Sequence, residues 1–176
     1  MLKQLLQRLA LEYQDGLPLL EDLDSYLRDF VPQALLKSSS LQQAFGISHQ
    51  EMELLYKEAY LQYENNKLEE ASITFRFLVL FDPWIKKHWM GLASCQQLRK
   101  FYDKALHSYA IAAALDSEDP YPHFYAYQCC LASNNLIDAQ KALLLAYQRT
   151  SEPCHAKLRH KIEFLHQRVF SSTCKI

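Results

Sequence analysis

The chain has 176 residues, nearly half of them apolar and 12% aromatic, enough to bury a core and too apolar for a disordered polymer. Its 19 basic side chains almost balance 20 acidic ones, for a net charge of −1, so no broad basic field exists to collect nucleic acid. Three glycines and six prolines are too few for a chain of tight turns, which excludes most sheet architectures and points to an all-helical protein.

In chain order, residues 1–50 carry a charge of −2 and predict two helices, 2–13 and 19–30. "GLP" at 16–18 separates them and "VPQALLKSSS" forms the joint that follows. The opening "MLKQLLQRLALEYQDG" interleaves polar with apolar residues, so it lacks the continuous apolar run of a signal peptide. No stretch approaches a membrane span, and the expectation is a soluble protein that is not inserted in a membrane. Residues 1–50 are longer than one capping helix requires, which predicts a dimer contact in addition to a cap.

Residues 51–150 repeat at a shift of 34. Ala71, Ala105 and Ala139 align, as do the bulky Phe75, Tyr109 and Leu143, then Leu78, Ala112 and Ala146. That period, with a small residue where two helices cross closely, is the signature of the tetratricopeptide repeat. The expected fold is an all-α right-handed superhelix of three helix-turn-helix repeats, with further helices at both ends. The repeats pair 51–65 with 68–81, 86–99 with 102–116, and 121–133 with 136–149. "SHQE" at 48–51 is a capping box that starts the first helix. Asn65 and Asn66 suit a left-handed turn between helices, and "DPW" at 82–84 and "EDPYP" at 118–122 break the chain between repeats.

The segment 151–176 carries +3 and forms a C-terminal capping helix and tail, with Leu158, Ile162, Leu165 and Val169 on one stripe. The expected domains are therefore 1–50, 51–150 and 151–176. Cysteines at 95, 129, 130, 154 and 174 are odd in number and lack a CxxC, which favours reduced, mostly buried thiols over a disulfide framework.

The repeat phase orients each leading helix. Leu55, Ala59, Trp89, Leu92 and Ala93 face the core, and Tyr56, Tyr60 and Tyr63, at i, i+4 and i+7, fall on the neighbouring face. In a stacked array that face lines the concave side. Its counterparts are Met90, Ser94 and Gln97 in the second repeat and Phe124, Gln128 and Leu131 in the third. Aromatic rings, a Met and few charges suit an extended apolar peptide, for which these nine residues are the expected contacts. A carboxylate clamp would need Lys, Arg or Asn where Tyr56, Tyr60 and Gly91 stand.

"LYKEAYLQYENNKLEEA" at 55–71, "GLASCQQ" at 91–97, "HSYAIAAALD" at 107–116, "PYPHFYAYQCCL" at 120–131 and "LIDAQKALLLA" at 136–146 resemble the class II chaperones of type III secretion. The resemblance covers about residues 50–148. It implies a bacterial cytoplasmic chaperone, a homodimer, that binds a segment of hydrophobic translocator proteins in its groove and keeps them soluble for export. No nucleotide-binding or metal motif is evident in the residues, so no cofactor and no metal are expected.

Two other readings compete. Catalysis is disfavoured, because there is no P-loop or GxGxxG, and His155, His160 and His166 do not share a helix face. Cys129 and Cys130 also lack a matching His and acid set. A general tetratricopeptide adaptor that scaffolds or regulates a secretion apparatus shares every structural feature with the chaperone.

Overall fold

The computed structural model describes residues 41–44 and 47–170, together with Gln4. The expected helices 2–13 and 19–30, and with them the dimer contact, lie outside the described residues. The chain divides into two compact units, Met1–Leu92 and Ala93–Ile176. Among the described residues the regular structure is entirely helical.

In the first unit, a helical turn at Leu41–Ala44 precedes α1 (His49–Glu64) and α2 (Leu68–Phe81), and α3 (Lys86–Leu98) begins before the division. The capping box is present: Ser48 N–H donates to Glu51 Oε2 at 2.8 Å, and Glu51 N–H donates to Ser48 Oγ at 3.2 Å. It starts α1 two residues earlier than expected, because the cap satisfies orphan amides ahead of Glu51. Leu55, Ala59, Ala71, Phe75, Leu78, Trp89 and Leu92 are buried, which bears out the predicted core face. Trp89 Nε1–H donates to Pro83 O at 2.7 Å, so the indole is buried without losing its hydrogen bond.

In the second unit, α4 (Tyr102–Leu115), α5 (Tyr121–Ala132) and α6 (Leu136–Gln148) lead through a 3₁₀ turn at Pro153–His155 to α7 (Ala156–Phe170). Phe124, Tyr127, Cys130, Ala139, Leu143, Ala146, Leu158 and Ile162 form its core. Leu158 and Ile162 thus bring the predicted stripe of α7 onto α5 and α6, with Leu165 packed at the edge.

Two devices recur at the 34-residue period. Asn66, Lys100 and Asn134 all adopt positive φ, of 60°, 64° and 62°, between the helices of each pair. Each is the left-handed residue of a Schellman closure. Lys67 N–H donates to Gln62 O at 2.8 Å, Phe101 N–H to Gln96 O at 2.9 Å, and Asn135 N–H to Cys130 O at 2.8 Å. Of the two asparagines predicted for this turn only Asn66 is left-handed, and Asn65 sits at φ −81°. The second device is a bond between paired helices. Thr74 Oγ1 donates to Gln62 Oε1 at 3.1 Å, and Ser108 Oγ donates to Gln96 Oε1 at 2.8 Å.

Cys95, Cys129 and Cys130 are free and buried, as expected of reduced structural thiols. Cys154 is also free, but exposed.

Candidate functional site

Within the first unit, the tyrosines of α1 form a continuous row. Tyr56 and Tyr60 stack with ring centroids 6.5 Å apart, and Tyr60 and Tyr63 follow at 6.5 Å. Helical spacing alone produces this alignment, since i, i+4 and i+7 share a face. The row is half-buried at both ends, Tyr56 and Tyr63, and exposed at Tyr60 in its middle. Tyr56 meets the buried Phe75 edge-on at 5.9 Å and lies 6.0 Å from the buried His88 ring. Tyr60 is 47% exposed, so its ring is presented to solvent and not walled off beneath another helix. A hydrogen bond to Glu64 raises the pKa of its phenol above the ordinary value, so the hydroxyl stays a donor across the physiological range.

A cation marks the Tyr56 end. Lys87 Nζ sits 4.4 Å from the centroid of Tyr56 and bonds the Glu53 carboxylate. That bond holds the Glu53 pKa below its usual value. Residues 53 and 87 are one repeat apart, so the pair links equivalent positions of neighbouring leading helices. Met90, half-buried, lies one turn from Lys86 on the same helix.

Within the second unit, three of the predicted contact residues meet in one polar network. Tyr109 O–H donates to Gln97 Oε1 at 2.7 Å, and Gln97 Nε2 donates to Gln128 Oε1 at 3.1 Å. Ser94 Oγ lies 3.4 Å from the Tyr109 hydroxyl. Ser94, Gln97 and Gln128 are all half-buried. Leu131 packs against the core of the unit and keeps part of its surface open.

Phe124 departs from expectation. It is only 3% exposed and belongs to the core of the second unit. Its ring contacts Tyr125 and Tyr127 at 6.0 Å each, and Lys161 of α7 lies 5.0 Å over it. The physical reason is α7 itself. Its Leu158 and Ile162 close an apolar core around Phe124, whereas Tyr56 in the first repeat stays half-buried, so equivalence by repeat phase does not carry equivalence of exposure.

Sequence reasoning also passed over an aromatic group beside that network. Tyr125 stacks on Tyr109 at 5.7 Å and on Tyr121 at 6.3 Å, and Tyr121 is 39% exposed. The i, i+4 spacing of Tyr121 and Tyr125 matches that of Tyr56 and Tyr60 and was the available signal. Both groups are made of rings, amides and hydroxyls, which can contact a partner by packing and by hydrogen bonds.

Residues 87–119 match the tetratricopeptide repeat family model. The chaperone protein SicA of Salmonella typhimurium is 34% identical over 119 residues, which cover 68% of this chain and 72% of SicA. Low calcium response locus protein H of Yersinia pestis is 33% identical over 111 residues. The match takes in 63% of this chain and 66% of that protein, a little under two thirds of its length. Among solved structures, a chain of the CopN–Scc3 complex superposes with a TM-score of 0.87 at 34% identity, covering 93% of this chain and 97% of its own. The Yersinia enterocolitica type III secretion chaperone SycD, in complex with a peptide of the translocator YopD, has a TM-score of 0.68 at 30% identity. There 72% of this chain and 98% of SycD are covered.

Proposed function

This chain belongs to the tetratricopeptide-repeat chaperones of type III secretion, and from that premise we propose that it holds a hydrophobic translocator in soluble form before export. The contact is an extended apolar segment of the client, laid along the open faces of the leading helices. In the first unit it meets Tyr56, Tyr60, Tyr63 and Met90. In the second it meets Ser94, Gln97, Gln128 and Leu131, with Tyr121 added and Phe124 left to the core.

The observation that carries this reading is the open tyrosine row, with Tyr60 nearly half exposed between two ring neighbours. Large rings cover apolar side chains at a small cost in rotamer entropy, and their hydroxyls bond the peptide backbone. Gln97 and Gln128 serve the same purpose, since an amide nitrogen carries two hydrogens and the Gln97–Gln128 bond occupies one of them. A translocator exposes surface suited to lipid, and patches beyond a few hundred Å² drive aggregation. Covering such a surface requires binding alone, with no bond made or broken.

No helix among the described residues is long and apolar enough to cross a membrane. Kinship with the type III secretion chaperones, SycD among them in a dimeric form, supports a cytoplasmic site of action and a homodimer as the working form. Co-expression tests the proposal: the translocator of the same secretion system is expected in the soluble fraction only when this chain is produced with it. A client equally soluble alone, or insoluble in both cases, overturns it.

A further inference from the structure

Between α6 and α7 the chain reads Glu152-Pro153-Cys154-His155. The carboxylate, the thiol and the imidazole each present a donor atom, and these three atoms lie within 4.8 Å of one another. Cys154 Sγ is 3.4 Å from Glu152 Oε2. A tetrahedral zinc ion with ordinary Zn–S and Zn–O bonds separates its sulfur and oxygen ligands by about 3.6 Å. The first pair thus already stands at a ligand–ligand spacing, and the third donor needs roughly 1 Å of side-chain rotation to join it.

The backbone supports the arrangement. The 3₁₀ turn Pro153–His155 is closed by His155 N–H donating to Glu152 O at 3.0 Å, which turns residues 152 and 155 back toward each other. Proline at 153 restricts the backbone between two of the donors. The His155 ring rests edge-on against Tyr121 at 5.9 Å, and this contact orients the imidazole. The other described cysteines, Cys95, Cys129 and Cys130, are buried in apolar packing.

We propose that Glu152, Cys154 and His155 form a three-donor site for a zinc-class divalent cation, a binding function distinct from peptide contact although its His155 adjoins Tyr121. Thiolate, imidazole and carboxylate are the donor types this cation takes, and three protein ligands leave a fourth position for water or a partner's side chain. Binding replaces the thiol proton, which passes to solvent, so affinity falls as pH is lowered. Without metal, partial desolvation and then the neighbouring Glu152 carboxylate raise the pKa of the Cys154 thiol. A bound dication reverses that balance.

The test is titration of the reduced, full-length chain with Co(II), followed by Zn(II). The expected result is a sulfur-to-cobalt charge-transfer band that saturates at one equivalent and is displaced by zinc. Cys154→Ser is expected to abolish the band, and Glu152→Gln and His155→Ala each to weaken zinc binding by about tenfold or more. Glu152 and Cys154 are exposed and His155 is half-buried outside the unit's core, so helical circular dichroism should not change. Absence of the band in the wild type, its persistence in Cys154→Ser, or unchanged affinity in either of the other variants overturns the site.

Discussion

Gly91 in α3 lies against the ring of Phe75 in α2 so closely that a Cβ built on it would stand 2.7 Å from Phe75 Cδ1, and nearer still to Cε1 and Cζ. Phe75 is 1% exposed and belongs to the buried core. One repeat later the same pair of positions holds Tyr109 and Tyr125, which stack face to face. The relationship between the two positions is kept while its chemistry changes from a ring on a bare backbone to a ring on a ring.

Gly91→Ala is therefore expected to destabilise the protein, although Ala is the better helix former. Helix propensity favours Ala by about 1 kcal/mol, whereas overpacking of a fixed core ring costs about 1–3 kcal/mol. In a Phe75→Leu background, which frees the space, the substitution should cost less or turn favourable. Urea denaturation of the four proteins of the double-mutant cycle measures the coupling, and additive effects would show that the ring does not set the requirement for glycine.

The buried bond between Ser108 and Gln96 yields a second prediction. Ser108→Ala leaves the Gln96 carbonyl, on a side chain only 7% exposed, without this donor, at a cost of about 1–3 kcal/mol. Replacing both partners, as Gln96→Met with Ser108→Ala, should recover most of that loss. The third repeat has no such bond to break, since Cys130 and Ala142 occupy the equivalent positions. Equal stability of the single and double variants would contradict this account.

His88 makes stability depend on pH. Burial is the main cause that lowers its pKa from 6.5 to about 4, opposed by a hydrogen bond with Asp82 O at 3.2 Å. Lys87, Glu53 and His49 supply the nearby charges. The folded ring stays neutral while the unfolded one gains a proton below its ordinary pKa. Stability is thus fully present above about pH 6.5 and is lost as pH falls toward about 4. At about 1.4 kcal/mol per pH unit the loss approaches about 3 kcal/mol. Melting curves across this window should flatten in His88→Gln relative to the wild type, and parallel curves would remove His88 as the source.

Tyr60 and Phe124 separate binding from folding. Tyr60→Ala should weaken client binding by about 2 kcal/mol, roughly thirtyfold, with melting unchanged, because the ring is half exposed. Phe124→Ala should instead cost about 3–5 kcal/mol of stability, because its ring belongs to a packed core. Calorimetry with the client segment, beside thermal denaturation, reads both. A Tyr60 variant that binds normally would move the contact off α1.

Helix pairing, the capping box at Ser48, the stripe of α7 and the buried faces of Leu55 and Trp89 were legible in the residues. Each follows from spacing along one helix or from the 34-residue period, and those are local rules. Lys100 in the left-handed turn was not legible by residue type, since only its place one repeat after Asn66 marks it. The network of Ser94, Gln97 and Gln128 was not legible either, because the Tyr109 hydroxyl that meets Ser94 and Gln97, and the Gln128 amide that meets Gln97, come from two later helices.

By itself, then, the sequence determined that this is a tetratricopeptide array, where each pair of helices turns, and that α1 carries three aromatic rings in line. Only the tertiary structure decided which members of the repeated face remain open. Period 34 assigns Tyr56 and Phe124 the same angle on their helices, but exposure depends on what packs above that angle. A lysine lies over each ring, Lys87 over Tyr56 and Lys161 over Phe124, but Phe124 is also enclosed in a core by Leu158 and Ile162 of α7. That enclosure joins residues far apart in the chain, so no periodicity in the sequence encodes it.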